Sequence, residues 1–162
     1  MVAHSPSPPK TQRYPLPPDG PLMARLRVAD GLRLALGGGS EDGDQRKLRH
    51  LLDTKGLLWE HTSNEGKRNE TERGSVLARG LKKGSPDIKI FPPFTHEGLA
   101  YAGLAIELKR NDATPTQVED EQREWLTRLR ECGWMAEWCR GFIEASKLIV
   151  AVYGQAAAKG GR

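Results

Sequence analysis

Gly84-Ser85-Pro86-Asp87-Ile88-Lys89-Ile90-Phe91, followed by Leu104-Ala105-Ile106-Glu107-Leu108-Lys109, is the stretch on which the reading of this chain turns. Each segment is a short apolar run bounded by turn formers, the pattern of a β-strand. In the second run Leu104, Ile106 and Leu108 take one face, and Ala105, Glu107 and Lys109 take the other. Pro92, Pro93, Gly98 and Gly103 make the connection rich in turns. The two strands are therefore expected to fold back as an antiparallel pair, with Asp87 beside Glu107.

Two neighbouring carboxylates repel one another and resist joint ionisation without a cation, so the pair predicts Mg²⁺ or Mn²⁺ held through oxygen ligands. The lysine two residues beyond Glu107 adds positive charge that orients a water or offsets charge developing on a phosphate. Phosphodiester hydrolysis is the chemistry this combination suggests. Spacing alone is weak support, because a Glu-x-Lys triplet arises by chance in roughly half of chains this long. Glu65-Gly66-Lys67 is such a decoy, lying in a polar turn with no apolar alternation around it.

Five segments in order carry a resemblance: Asn64-Glu65-Gly66-Lys67-Arg68, Gly84-Ser85-Pro86-Asp87, Ala105-Ile106-Glu107-Leu108-Lys109-Arg110, Gln122-Arg123-Glu124-Trp125-Leu126 and Cys139-Arg140-Gly141. Over roughly residues 40–154 the chain resembles the VRR-NUC family, the virus-type replication-repair nucleases, in the short stand-alone form found in phages. The resemblance implies an α/β, restriction-endonuclease-like core of the PD-(D/E)xK type, a small mixed β-sheet flanked by helices. It implies that Asp87 and Glu107 bind the metal with the backbone carbonyl of Leu108, and that Lys109 assists the attacking water. It further implies a structure-selective DNA endonuclease of DNA repair, leaving a 5′-phosphate and a 3′-hydroxyl. The expected substrate is branched DNA such as a four-way (Holliday) junction, and a homodimer would supply two active sites. The expected location is the cytoplasm of a bacterial or phage-infected cell.

Within that resemblance an acidic residue on the first helix contributes to the site. Ser40 reads as the N-cap of that helix, and Leu48, Leu51 and Leu52 mark its inward face. Extrapolating backwards places Gln45 and Glu41 on the Leu48 side, which nominates Glu41, with plain stabilisation of the helix dipole as the alternative. The family glutamine corresponds to Gln122, three residues before Trp125-Leu126. Gln117 is the competitor, and it suits a capping box with Thr114 and Pro115 instead. Lys67 and Arg68 are expected phosphate contacts, as are Lys82, Lys83 and Arg110.

Composition agrees without deciding. The 162 residues and 17.9 kDa suit one core of ordinary size. The 25 Lys and Arg exceed the 21 Asp and Glu, a net charge of +4 that fits an anionic partner. Mean hydropathy is -0.61 and no long apolar run exists, so a membrane span is excluded. The N-terminus lacks the basic-then-apolar order of a secretory signal, and no Gly-x-x-x-x-Gly-Lys-Ser/Thr loop points to ATP. The four histidines are scattered, which gives zinc little support. Cys132 and Cys139 read as reduced, semi-buried thiols.

Residues 1–39 read as a Pro-rich, flexible arm, with Leu22 to Leu36 forming either a short helix or a strand pair. Residues 40–154 form the nuclease-like domain and 155–162 a frayed tail. Trp59 falls in the first strand, Leu57 to His61, and a helix with a basic outer face is expected around Val76, Leu77 and Leu81. Trp125, Trp134 and Trp138 are read as core, and Arg140-Gly141 as a turn rather than a DNA contact. Three other functions compete: a catalytically silent DNA-binding module, a protein-interaction module, and a sequence-specific restriction-type nuclease. The intact Asp87, Glu107 and Lys109 count against the first, and the lack of an evident target-recognition domain counts against the last.

Overall fold

The apolar alternation around Asp87 and Glu107 does become a sheet. In the computed structural model, which describes residues 19–29, 40–62 and 82–154, strands β1 (Trp59–His61), β2 (Ile88–Ile90), β5 (Leu104–Lys109) and β6 (Met135–Arg140) form a four-stranded sheet in the order β1-β2-β5-β6. The first three strands are antiparallel, and β6 runs parallel to β5. The connection between β2 and β5, expected only as turns, carries a second hairpin of β3 (Phe94–His96) and β4 (Leu99–Tyr101). Glu97 and Gly98 turn it with φ of 50° and 79°, the left-handed pair that a two-residue hairpin loop requires.

Four helices are present among the described residues: α1 (Pro21–Ala29), α2 (Glu41–Thr54), α3 (Asp120–Glu131) and α4 (Gly141–Tyr153). Leu104, Ile106 and Leu108 face a core built with Ile88, Ile90, Leu48 and Leu52 of α2, Leu148 and Ile149 of α4, and Leu22 and Met23 of α1. Ala105, Ala136 and Trp138 face the other way, onto Leu126 and Leu129 of α3. The sheet is thus covered on both faces, as a parallel β5-α3-β6 crossover demands. No described helix is long and apolar enough to cross a membrane.

Two sequence expectations change. Leu22 and Met23, placed within the arm of residues 1–39, sit on a helix packed into the core, so the packed body includes residues well before position 40. Cys132 is exposed and only Cys139 is buried. The capping box of Thr114, Pro115 and Gln117 forms as read, on a single 3₁₀ turn (Pro115–Gln117), and α3 starts afresh after its N-cap Glu119. Ser40 caps α2 as read, its Oγ accepting the Gly43 N–H at 3.2 Å.

The segment before α1 packs against β6. Gly20 N–H donates to Glu137 Oε1 on β6 at 3.2 Å, and Arg130 of α3 donates to Glu137 Oε2 at 2.8 Å. Burial nonetheless pushes the Glu137 carboxyl up from 4.5 to about 7, against the pull of Arg130 and the Gly20 N–H.

Met23 is fully buried, so Met23→Ala is expected to lower unfolding free energy by about 2–5 kcal/mol in urea titrations; a loss below about 0.5 kcal/mol would detach α1 from the core. Because the folded carboxyl of Glu137 titrates near 7 rather than 4.5, its contribution is full below pH 4.5 and falls as pH rises through 7. Stability is expected to drop by on the order of 3 kcal/mol across that window. Glu137→Gln should flatten this part of a melting-temperature profile against pH, and an unchanged slope would contradict the assignment.

Candidate active site

The register of β2 on β5 pairs Ile88 with Ile106 and Lys89 with Ala105. Continued by one residue, it sets Asp87 opposite Glu107, as the sequence alternation requires. Both side chains belong to the face that carries α3, and both are buried, Glu107 to 2 % exposure. Asp87 is delivered by Gly84, whose φ of 81° and close approach to the Glu121 backbone exclude a side chain; a Cβ there would lie 2.6 Å from the Glu121 carbonyl carbon. The backbone then locks at both sides of Asp87. Its carbonyl accepts the Thr62 N–H at 2.8 Å, and its Oδ2 accepts the Leu108 N–H at 2.8 Å.

Glu107 is held from two directions. Lys109, two residues along the same face and 13 % exposed, brings Nζ to 3.2 Å from Glu107 Oε1. Gln122, in the first turn of α3, donates Nε2–H to the same oxygen at 2.5 Å. Its own Oε1 accepts the Glu119 N–H at 2.9 Å, so the helix cap fixes which end of the amide faces the carboxylate. Gln117, the competing glutamine, is exposed and accepts the Thr114 N–H at 2.7 Å. The geometry therefore brings Gln122, and not Gln117, to the acidic pair.

Besides the expected Glu41, α2 carries a second acid that the sequence reading did not single out. Glu41 opens α2, but its side chain lies outside the described residues. Asp44 is the carboxylate that α2 buries, at 2 % exposure, one turn before Leu48. Asn111 Nδ2, just beyond β5, lies 3.4 Å from Asp44 Oδ2. Gly141, with φ of 60°, passes so close that a Cβ would meet Asn111 Oδ1 at 1.7 Å and Asp44 Oδ2 at 2.9 Å. Asp44 thus stands at the end of the sheet where Lys109 emerges. Stepping back from Leu48 by four residues finds it; stepping by three and seven leads to Gln45 and Glu41.

The basic candidates divide. Lys67 and Arg68 lie outside the described residues, as does the helix expected around Val76 and Leu77. Lys82 and Lys83 are exposed immediately before Gly84, with Lys83 Nζ 2.6 Å from Glu121 Oε1. Arg110 projects from the end of β5, paired with Asp112 at 3.2 Å. A groove of about 710 Å³, lined by Gln45, Arg46, Arg49, Trp59 and His61, runs between α2 and the edge strand β1; none of its basic residues was nominated from sequence. Among the described residues no group of three or more His, Cys, Asp or Glu is placed to hold a metal.

Known proteins bear on the fold and the family. A solved structure described as a VRR_NUC domain protein matches with a TM-score of 0.56, covering 70 % of this chain and 88 % of that one at 22 % identity, a likeness of fold. No curated protein matches the chain. The model of the VRR-NUC domain family matches residues 40–142, more than half of the chain and all of β1, β2, β5, β6 and α3. With that match and this fold, the chain belongs to the VRR-NUC family of nucleases.

Proposed function

We propose that this chain is a divalent-cation-dependent DNA endonuclease of the PD-(D/E)xK type that cuts branched DNA. The observation that carries the reading is the register of Asp87 opposite Glu107, with Lys109 at 3.2 Å and Gln122 at 2.5 Å on one oxygen of that glutamate. A structural ion pair needs neither two buried acids nor an amide aimed at one of them.

The donor set is all oxygen: the two carboxylates and the backbone carbonyl of Leu108. That chemistry fits Mg²⁺ or Mn²⁺ better than a softer metal. A bound divalent ion would relieve the repulsion of the acids, polarise a phosphoryl oxygen and lower the pKa of a water. The chain's own residues do the rest. The Leu108 N–H pins Asp87 through Oδ2. Gln122 and Lys109 hold Glu107 in one orientation, because each donates to it. The Lys109 ammonium orients the attacking water and offsets charge as it accumulates on the phosphate. Asp44 is a helix acid that we assign to the same end of the sheet, alongside the expected Glu41.

DNA is read mainly through its backbone. Arg46 and Arg49 in the groove beside β1, which Asp42 and Asp53 also line, offer phosphate contacts together with Lys82, Lys83 and Arg110. Selection by DNA shape follows, and symmetric cutting of a four-way junction would take two copies of the chain.

Labelled four-way-junction, flap and linear duplex DNA, incubated with the protein in Mg²⁺, Mn²⁺ or EDTA, tests this directly. Cutting is expected only with metal and fastest on branched DNA. Asp87→Ala should abolish it, and Lys109→Ala should slow it about 100-fold or more. Gln122→Ala should cost about 10- to 100-fold with an unchanged circular dichroism spectrum. DNA binding without cutting under every metal would overturn the nuclease reading.

A further inference from the structure

Beyond the acidic pair, the end of the sheet carries a chain of charges that runs from the N-terminal helix to the rim of the site. Arg140 ends β6 and pairs in register with Lys109, so the two share the face on which Glu107 lies. Its guanidinium is fixed rather than free to wander: Nε and Nη2 both lie 2.8 Å from Glu144 Oε1, while the Arg140 backbone N–H donates to Glu144 Oε2 at 2.8 Å. Glu144, on the first turn of α4, is itself buried. Its Oε2 lies 3.5 Å from Arg27 Nη2, and that same nitrogen donates to the Trp138 carbonyl at 2.8 Å. Arg27 stacks over the Trp138 ring at 4.1 Å and pairs with Asp19.

Two features separate this network from ordinary surface ion pairing. Arg27 and Glu144 are held in place by partners on α1, β6 and α4, and such pre-organisation is what turns an ion pair into a positioning device. The Arg140 side chain keeps 20 % exposure, and a guanidinium has five N–H donors, of which Glu144 takes two. The rest are available at the rim, where Arg110 and the α2 residue Lys47 also lie, Lys47 over the Phe142 ring at 5.8 Å.

We propose that Arg140 is a phosphate-binding residue for the DNA strand that flanks the cut, held in position by Glu144 and, through it, by Arg27 of the N-terminal helix. The proposal rests on the DNA-nuclease reading above and adds to it a contact and a role for residues before position 40. Arg27 and Glu144 are positioning residues and touch no DNA.

The test uses the full chain in two backgrounds. With Asp87→Ala in place to prevent cutting, binding to four-way-junction DNA is measured over a range of salt. Arg140→Gln is expected to lower the slope of log K against log salt by about one, the signature of one lost phosphate contact; an unchanged slope overturns the contact. In the active background Arg140→Gln is expected to raise KM about tenfold with kcat nearly unchanged. Arg27→Gln should raise KM as well, and the Arg27→Gln, Arg140→Gln double variant should be no worse than Arg140→Gln alone. Additive effects would overturn the positioning role. Glu144→Gln removes a negative charge, so tighter binding with unchanged KM would likewise contradict it. All variants are compared below the lowest of their melting temperatures, so that unfolding does not enter the rates. Should the parent protein cut no DNA while the salt slope still falls, the nuclease reading fails and the phosphate contact stands.

Discussion

The register between β2 and β5 is the constraint on which the rest depends. Side chains alternate strictly along a strand, so a slip of one residue would turn Ile88 and Ile90 out of the core and drive Asp87 into it. The hydrophobic requirement therefore fixes the placement of the acidic pair without a separate device. Because Ile88 and Ile106 must share the face packed on α2 and α4, Asp87 and Glu107 must share the opposite one. The like charges that this juxtaposes are tolerated because each has a donor aimed at it: the Leu108 N–H for Asp87, Gln122 and Lys109 for Glu107.

What surrounds the pair is arranged around one end of the sheet. α2 starts there, with Asp44 buried against Asn111 and Gly141, and α4 starts there, with Glu144 gathering Arg140 and Arg27. α3 lies across the face with its first turn over Glu107, which is why its capping residue and its site residue are one turn apart. The N-terminal segment reaches β6 at two points, Gly20 on the Glu137 carboxylate and Arg27 on the Trp138 carbonyl. Residues outside the family-matched region of 40–142 thus complete the core, through Met23 on one side and Leu148 on the other.

Much of this was legible in the residues, and the failures have physical causes. β2, β5 and β6 were readable because two-residue alternation and flanking turn formers agree. Gln122 was distinguishable from Gln117 because Thr114 and Pro115 already gave the latter a capping role, which it has. α1 was not readable as core: Leu22, Met23 and Leu26 are too few to separate a helix from a strand, and the prolines before them argue for an extended chain. The β3-β4 hairpin was hidden by Pro92-Pro93, although Phe94 and Tyr101, stacked at 5.1 Å, supply its apolar pair. The burial of Asp44 was not legible, since steps of three, four and seven residues from Leu48 all return to the same broad face. Cys132, read as semi-buried, is the C-cap beyond the last turn of α3 and is left exposed.

The central claim is that Asp87 and Glu107 together form a site for a divalent cation, and it can be tested without substrate. Thermal stability of the protein in EDTA and in increasing Mn²⁺ is the measurement, made on the parent chain and on Glu107→Gln. Mn²⁺ is expected to stabilise the parent in a saturable manner and not the variant, and in EDTA the variant is expected to be at least as stable as the parent, because a charge repulsion has gone. Equal stabilisation of both proteins by Mn²⁺, or none of either, would contradict it.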